Sequence, residues 1–347
     1  MRLLVIIGSW QAILGASAIR SACGGALAVK YVICIRRDNE SDMSEACRNF
    51  FLSRGIELIL MSYRDYQSGN LSNKIRKLIG CCDEVYFPLT ATFARLKYWP
   101  VEIKDKISFY EDGLHSLAVL ENLQARDKID KQRGLNVKAK DLIKVAYRNL
   151  RNRNRSHHMV KIPSDFRAYW GLLKITELPY NFHFIDPMLL AEEISLFGQL
   201  NSKAEDNETI LPGTVILGSN FAMHGMLSAD VEYRPVCEFI ESFSSDSALY
   251  WKPHPRASYL YSDYLLRKYP QVKPWPAHGS AMPFECHIGC QPDLKVVSLM
   301  STSVAYAKLI YGRDVALLGD LSESLKEAGT AALPSYLYLK SLVDGNM

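Results

Sequence analysis

The segment from Lys252 to Arg256, Lys-Pro-His-Pro-Arg, places a histidine between two prolines and two cations. The apolar, aromatic run Ala248–Trp251 before it is typical of a buried strand. Each proline favours extended backbone in the residue before it, so His254 is predicted to stand at the end of a strand with little conformational freedom. A proton donor between positive charges suits a departing phosphate. The alternative is a turn that ends the strand and leaves the histidine on the surface.

Two adjacent carboxylates, Glu111 and Asp112, follow another predicted strand and precede Gly113. Adjacent side chains in extended backbone point to opposite sides, so one carboxylate can face a cleft while the other holds the turn. Gly113 permits a tight exit that a side chain would block. A carboxylate at this place could act as a general base on a sugar hydroxyl. The alternative is a surface turn, because Asp-Gly is a common turn pair.

Other polar groups also follow predicted strands or open predicted helices. A glutamate in a Pro-Phe-Glu segment could accept hydrogen bonds from ribose hydroxyls. Hydroxyls and free N–H groups at a helix N-terminus suit a phosphate, although N-capping alone also accounts for them. The candidates for nucleotide contact are Lys252, Pro253, Gly218, Ser219, Asn220, Glu285, Ser301, Thr302 and Ser303. Gly8 and Ser9, which lack a GxGxxG pattern, are candidates for contact with an acceptor or anion.

The elements that must position these groups alternate regularly through residues 1–113. Strands that are apolar on both faces and alternate with helices predict a parallel, doubly wound sheet. Right-handed crossovers place all strand carboxyl ends on one edge, where ligands bind. The predicted strands are Leu3–Ile7, Lys30–Ile35, Glu57–Met61, Glu84–Phe87 and Lys106–Tyr110, with helices near 11–23, 42–54, 67–80 and 90–98.

The same alternation restarts after residues 201–213, a polar segment that closes with Pro-Gly and is the predicted linker. We therefore predict an α/β protein with two Rossmann-like domains, 1–200 and 214–347, that face each other across a cleft. The last helix, near 332–342, is a candidate to cross back onto the first domain. Strands of the second domain are predicted at Thr214–Leu217, Ala248–Trp251, Leu294–Leu299 and Val315–Leu318, with helices near 231–243, 258–268, 302–311 and 320–328.

Residues 115–200 have a less regular, helical pattern and are interpreted as a basic insertion in the first domain. Between 138 and 161 the insertion has eight lysines and arginines and one acidic residue. Such a run is most often a solvated helix face. It could also bind a polyanionic acceptor or an anionic membrane, through Arg148, Arg151, Arg153 and Arg155. The aromatic residues that follow, including Tyr169 and Trp170, would suit an interfacial helix, but packing in the core is the favoured interpretation.

Charge and cysteine content exclude several classes of protein. A net charge of +4 carries no general nucleic-acid signature. The eight cysteines lie mostly in apolar runs, which in a chain of 347 residues fits a reducing compartment better than a disulfide framework. Gly8 and Gly15 interrupt the apolar N-terminal run, so we interpret it as a strand and a helix and not as a signal peptide. No uninterrupted stretch is long enough to span a bilayer.

The sequence also argues against metal and hydrolase chemistry. There is no Asp-x-Asp motif of the kind that holds a nucleotide diphosphate through a divalent metal. His278, Cys286, His287 and Cys290 do not have the spacing of a zinc site. Without a GxSxG elbow, a Ser-His-Asp hydrolase is disfavoured. We therefore expect neither a metal nor another cofactor.

Together these motifs resemble those of bacterial sialyltransferases. The segment 111–113 resembles their (D/E)(D/E)G motif, and the segment 252–256 resembles their HP motif. The segment 301–303 resembles their Ser/Ser-Thr motif, and Pro-Phe-Glu, ending at Glu285, resembles the Pro-x-Glu segment before it. The longer run 111–117 is more similar to the capsular polysialyltransferase branch than to the lipooligosaccharide branch.

The resemblance implies a GT-B fold and an inverting, metal-independent enzyme. Its substrates would be a CMP-activated sialic acid, or a related nonulosonic acid, and a glycan hydroxyl in capsule or surface polysaccharide synthesis. Asp112 or Glu111 would deprotonate the acceptor, and His254 would act as the acid at the CMP phosphate. The Ser/Ser-Thr motif would hold that phosphate, and Glu285 would hold the ribose.

Two alternatives stay open. A GT-B transferase or epimerase that uses another nucleotide sugar would place its phosphates at the same motifs. A non-catalytic scaffold that binds membrane or glycan through residues 138–173 would have no affinity for a nucleotide. For the sialyltransferase we expect a CMP-sugar donor, a glycan acceptor and no nucleic acid. Its expected location is cytoplasmic, free or peripheral on the inner face of the cytoplasmic membrane.

Overall fold

Two parallel β-sheets covered by helices organise the protein. A computed structural model describes residues 1–36, 41–68, 72–89, 106–114, 116, 168–173, 181–202, 212–244, 247–254, 259–276, 282–330 and 332–345. The predicted linker falls largely outside these ranges, as does the helix predicted near 90–98. The α/β class predicted from the alternation of apolar runs is confirmed.

The first sheet has seven parallel strands. They are β1 Arg2–Ile6, β2 Tyr31–Arg36, β3 Glu57–Ser62, β4 Glu84–Pro88, β5 Ile107–Tyr110, β6 Ala168–Gly171 and β7 Phe182–Phe184. Their order across the sheet is β3-β2-β1-β4-β5-β6-β7. The order reverses between β1 and β4, and a reversal of this kind opens a ligand crevice at the carboxyl ends of the strands. The acidic turn after β5 therefore stands at the same edge as the start of the first helix.

The second sheet has five parallel strands and repeats the same order. They are β8 Gly213–Leu217, β9 Ala248–Lys252, β10 Val272–Pro274, β11 Leu294–Ser298 and β12 Val315–Leu317. Their order is β10-β9-β8-β11-β12, so the reversal falls between β8 and β11. The candidate segment 218–220 follows β8 directly, and the segment 301–303 follows β11 after two intervening residues. The segment 252–254 begins with Lys252, the last residue of β9. The topology thus collects all three segments at one edge.

Eleven helices connect or cover the strands within the described residues. Several begin at a capping side chain; for example, the Oδ1 atom of Asp186 accepts a hydrogen bond from the backbone N–H of Met188. The helices are α1 Ser9–Ala22, α2 Ser41–Leu52, α3 Tyr63–Ser68, α4 Asn73–Cys81, α5 Pro187–Asn201, α6 Ala229–Ser242, α7 Tyr259–Lys268, α8 Glu285–Cys290, α9 Thr302–Tyr311, α10 Ser322–Glu327 and α11 Leu333–Asp344. The single helix predicted near 67–80 is thus two helices, α3 and α4.

The two domains share apolar contacts. Helix α5 packs on α1 and α2 of the first domain and on α8 and α9 of the second. Cys286 and Tyr306, from the second domain, belong to a core cluster formed mainly by the first. Leu114 and Leu173, from the first domain, belong to a core cluster of the second. The edges that carry the candidate segments are therefore held against each other by buried side chains.

Residues 115–200 were predicted to be helical, and this is confirmed for Pro187–Asn201 but wrong for two short segments before it. Residues 168–171 and 182–184 are the strands β6 and β7, paired in parallel with β5 and with each other. Tyr169 is buried in the core, so the interfacial-helix interpretation of this segment is also wrong. These strands have four and three residues, too few to show a periodicity in the sequence. The basic run 138–161 lies outside the described residues.

Helix α11 packs mainly on the second domain, against α9, α10 and β12. It touches the first domain where the Oγ atom of Ser335 donates a hydrogen bond of 2.7 Å to the carbonyl oxygen of Leu114. Among the helices that the structure describes, none combines the length and the apolar character needed to cross a membrane.

Candidate active site

The acidic turn at 111–114 follows β5, and Glu111 is its buried anchor. Glu111 is 0% exposed. Its Oε2 atom accepts hydrogen bonds from the backbone N–H groups of Leu172 (2.8 Å) and Leu173 (2.9 Å). Its Oε1 atom accepts one of 2.5 Å from the hydroxyl of Tyr306. Burial raises the pKa of the Glu111 carboxyl, and the three donors oppose that rise. Glu111 therefore holds the turn and is screened from solvent.

Asp112, the next residue, is only half-buried. Its Oδ1 atom accepts a hydrogen bond from Nε2 of Gln11, in the first turn of α1. Its backbone N–H donates to Oγ of Ser116 over 2.7 Å. The positive end of the α1 dipole favours the ionised carboxylate at this place. Of the two acidic residues, Asp112 is the one whose side chain keeps access to the edge of the sheet.

Gly113 brings the acidic turn against the second domain. Its φ of +96° is one that residues with a side chain rarely adopt. A Cβ atom there would lie 2.9 Å from Oγ1 of Thr302. The backbone N–H of Leu114 donates a 3.1 Å hydrogen bond to the same Oγ1 atom. The turn that carries Asp112 thus rests directly on the first residue of α9.

The N-terminus of α9 has the features of a phosphate site. Ser301 caps the helix, with its Oγ atom accepting from the backbone N–H of Ser303 over 3.3 Å. The first turn of the helix contains no acidic residue of its own, and a helix N-terminus favours an anion. The hydroxyl of Thr302 accepts from Leu114 and still has its own proton to donate. An anion at this end would meet hydroxyl and backbone donors.

Glu285 and Lys252 adjoin this helix end. The Oγ atom of Ser303 donates a 2.6 Å hydrogen bond to Oε1 of Glu285, which is 6% exposed. Burial raises the pKa of the Glu285 carboxyl. Burial also lowers the pKa of the Lys252 ammonium, and the charge of Glu285 opposes that effect. A phosphate beside Lys252 would favour its charged form, so this lysine is suited to an anionic ligand.

His254 lies half-buried beyond the end of β9, beside the segment that follows β8. The backbone N–H of Gly218 donates a 2.8 Å hydrogen bond to the carbonyl oxygen of Lys252. A Cβ atom on Gly218 would lie 3.0 Å from the backbone nitrogen of His254 and 3.0 Å from the ring of Trp251. Glycine therefore lets the two segments approach this closely without displacing either neighbour.

Glu232, which the sequence analysis did not single out, fixes the segment that begins at Gly218. It accepts hydrogen bonds from the hydroxyl of Ser219 and from the backbone N–H groups of Phe221 (3.1 Å) and Ala222 (2.6 Å). It is fully buried. In the sequence it has the ordinary appearance of an acidic residue in the first turn of a helix, and no pattern marks it. The predicted ligand Ser219 thus directs its hydroxyl to Glu232.

The remaining predicted residues fall into two groups. Gly8 and Ser9 are buried at the start of α1, and a Cβ atom on Gly8 would lie 2.7 Å from Oε1 of Gln11, the partner of Asp112. Asn220 is half-buried and Pro253 adjoins His254. The other group lies outside the described residues: Arg148, Arg151, Arg153, Arg155 and Arg256.

The contacts link the predicted motifs into one surface, from the acidic turn through α9 to the end of β9. The predicted residues that these contacts bring together are Asp112, Thr302, Ser303, Glu285, Lys252 and His254. That Asp112 and His254 border the same pocket stays a prediction. Gln11 and the buried Tyr306 are hydrogen-bonded to the two acidic residues, and no sequence signal pointed to them. Among the described residues, no three His, Cys, Asp or Glu side chains are grouped as metal ligands would be.

The chain is similar to one protein family and, in its fold, to solved structures of nucleotide-sugar enzymes. The model of the alpha-2,8-polysialyltransferase (POLYST) family matches residues 2–319. A UDP-GlcNAc 2-epimerase from Methanocaldococcus jannaschii is 13% identical with a TM-score of 0.50, covering 99% of this chain and 100% of that one. A 2,6-sialyltransferase from Photobacterium sp. is 12% identical with a TM-score of 0.48, covering 99% and 77%. No curated protein sequence matches. The likeness to the epimerase concerns the fold, and the predicted GT-B arrangement of two Rossmann-like domains is confirmed.

Proposed function

The chain belongs to the alpha-2,8-polysialyltransferase family and is a sialyltransferase, and we propose that it transfers sialic acid from CMP-sialic acid with inversion and without a metal. A related nonulosonic acid would meet the same phosphate and ribose contacts. The observation that carries the proposal is the contact of the acidic turn with the N-terminus of α9. The contact brings the turn with two carboxylates, from one domain, beside a helix N-terminus of the other, and this supports the proposal.

Asp112 is the general base in this proposal. It removes the proton of the acceptor hydroxyl as the oxygen attacks the anomeric carbon of the donor sugar, which forms the new glycosidic bond. The half-buried position of Asp112 supports this role over Glu111, whose carboxylate is fully buried and already accepts three hydrogen bonds. The hydrogen bond from Gln11 orients the Asp112 carboxylate.

The bond between the anomeric carbon and the CMP phosphate breaks in the same step, and the charge left on the phosphate must be stabilised. His254 gives a proton or a hydrogen bond to that phosphate. The hydroxyls of Ser301 and Thr302, with the backbone N–H groups of the helix N-terminus, surround it with donors, and the hydroxyl of Ser303 holds Glu285 beside them. Lys252 adds a positive charge, and Glu285 accepts hydrogen bonds from the ribose.

The family supports an acceptor that is itself a polyanion, and the sequence of residues 138–161 agrees with that. Eight cations against one acid in this run would attract a sialylated acceptor or an anionic membrane face. We propose that the product is a capsular or other surface polysaccharide, made by this chain at or near the inner face of the cytoplasmic membrane. The charge of the run predicts that transfer to a sialylated acceptor weakens as salt is raised.

One assay tests the donor, the acceptor and the metal. The protein is incubated in EDTA with CMP-sialic acid and a small panel of neutral and sialylated oligosaccharides, and the products are weighed by mass spectrometry. The proposal predicts products heavier by sialic acid residues and release of CMP. Calorimetry should show binding of CMP in preference to UDP. Transfer only from a UDP-sugar would favour another nucleotide-sugar enzyme, and no nucleotide binding at millimolar CMP would favour a scaffold.

A further inference from the structure

One hydroxyl at the contact between the domains has no part in the proposed chemistry. Tyr306 lies in α9 one turn after Thr302, so the two side chains share one helix face. Tyr306 is 0% exposed, and its ring packs against that of Trp10 with 4.8 Å between centroids. Its hydroxyl donates the 2.5 Å hydrogen bond to Oε1 of Glu111. A tyrosine of the donor-binding domain is therefore bonded to the residue next to the base.

Glu111 cannot move freely at the other end of this bond. Its Oε2 atom accepts two backbone N–H groups, and Gly171 lies so close that a Cβ atom there would be 2.8 Å from Oε2. A shift of Glu111 would leave these donors unpaired in a buried place, which is costly. Because one peptide unit joins the two residues, the position of Asp112 depends on that of Glu111.

We propose that Tyr306 is a positioning residue for sialyl transfer, which through Glu111 holds Asp112 at a fixed place relative to the phosphate-binding end of α9. The inference rests on the proposed function. The acidic turn meets α9 at two points, Leu114 with Thr302 and Glu111 with Tyr306. Two points of attachment fix the orientation of the turn as well as its distance.

The physical consequence is a rate effect without a donor-binding effect. A displacement of about 1 Å between a catalytic group and the reacting atoms can cost about 100-fold in rate. The CMP contacts proposed above lie on the second domain, and the hydrogen bond between Leu114 and Thr302 does not involve the tyrosine hydroxyl. Loss of the tyrosine hydroxyl should thus lower kcat and leave the affinity for CMP unchanged.

The test compares Tyr306→Phe with Tyr336→Phe, a matched variant in the same domain. Tyr336 is also 0% exposed, and its hydroxyl accepts from the backbone N–H of Leu321 (3.0 Å) and donates to the carbonyl oxygen of Gly319 (3.2 Å). Both variants lose buried hydrogen bonds of one tyrosine. Tyr306→Phe should lower kcat about 10- to 100-fold, with KM for CMP-sialic acid within about twofold of the wild type. Tyr336→Phe should keep both constants.

Four outcomes would overturn the positioning role of Tyr306 or the proposed function beneath it. An unchanged kcat in Tyr306→Phe, or an equal loss of kcat in both variants, would overturn the positioning role. Loss of CMP binding by Tyr306→Phe in calorimetry would also overturn it, because the tyrosine would then serve donor binding or folding. If the wild-type protein itself transferred no sialic acid, the proposed function would fail first. Wild-type transfer with an unaffected Tyr306→Phe would overturn this inference alone.

Discussion

The hydroxyl of Tyr306 and the carboxylate of Glu111 are 195 positions apart in the chain and form a 2.5 Å hydrogen bond across the two domains. This bond divides the roles of the two adjacent acidic residues. Glu111 is buried and accepts three hydrogen bonds. Asp112 is half-buried and accepts a hydrogen bond from Gln11.

The stability of the protein should depend on pH through Glu111. Burial raises its pKa in the folded state above the value of about 4.3 for an unfolded chain. Its contribution to stability is therefore full below that value and is lost as pH rises through the folded pKa. Urea unfolding of the wild type and Glu111→Gln at a series of pH values should show the wild-type advantage falling as pH rises from 4. Glu323→Gln, at an exposed position, should show no such trend. A wild-type advantage that grows with pH would contradict the assignment of burial as the main cause.

Replacement of His254 should remove transfer and leave the fold intact. General acid catalysis contributes about 10²- to 10⁴-fold, so kcat of His254→Ala should fall within that range. The matched variant is His224→Ala, because His224 is exposed in the segment after β8 and has no proposed role. Steady-state kinetics with circular dichroism separates the two. Normal turnover by His254→Ala would remove the histidine from the mechanism.

Gly113→Ala should disturb both backbone and active site. The positive φ of this residue costs about 1–2 kcal/mol for a residue with a side chain. The added Cβ atom would also meet Oγ1 of Thr302 at 2.9 Å, so the turn and α9 must separate. We expect kcat to fall about 100-fold. Gly329→Ala is the control, since its φ is +59° but no atom lies within 4 Å of its Cβ position. It should lose stability and keep kcat; equal kcat in the two variants would contradict the account.

Glu232→Ala should weaken donor binding. The hydroxyl of Ser219 and two backbone N–H groups would lose their acceptor, and the segment that borders His254 would lose its fixed shape. KM for CMP-sialic acid should rise about tenfold, a change of ~1.4 kcal/mol. Glu238→Ala, at an exposed position in the same helix, should bind the donor normally. Equal values of KM for the two variants would remove Glu232 from donor binding.

The sequence predicted the sheets because long apolar runs alternate with helical segments, and each strand from β1 to β5 was found within two residues of its predicted bounds. It did not predict β6 and β7, because three or four residues show no periodicity and the aromatic run at 168–171 also suits a helix. Short strands of this kind are recognised only by the neighbour they pair with. Here that neighbour is β5, about 60 positions earlier in the chain.

The motifs themselves could be found in the sequence because each follows a strand or opens a helix. The choice between Glu111 and Asp112 could not, because it depends on which carboxylate meets Tyr306 and the N–H groups of Leu172 and Leu173. The role of Glu232 could not be predicted from the sequence for the same reason. Its partners are set by the path of the chain after β8 and not by any local pattern.

Whether Asp112 or Glu111 is the base is tested by measuring transfer from CMP-sialic acid by Asp112→Asn, Glu111→Gln and the wild type. CMP binding by each variant is the control for folding. Both variants remove one acidic group and keep the shape of the side chain. We expect Asp112→Asn to bind CMP and to lose about 10²- to 10⁴-fold in kcat. Glu111→Gln alters only the hydrogen bonds that position Asp112, so its loss should not exceed the roughly 10- to 100-fold expected of Tyr306→Phe. Full activity in Asp112→Asn with loss of transfer in Glu111→Gln would contradict this expectation and assign the base to Glu111.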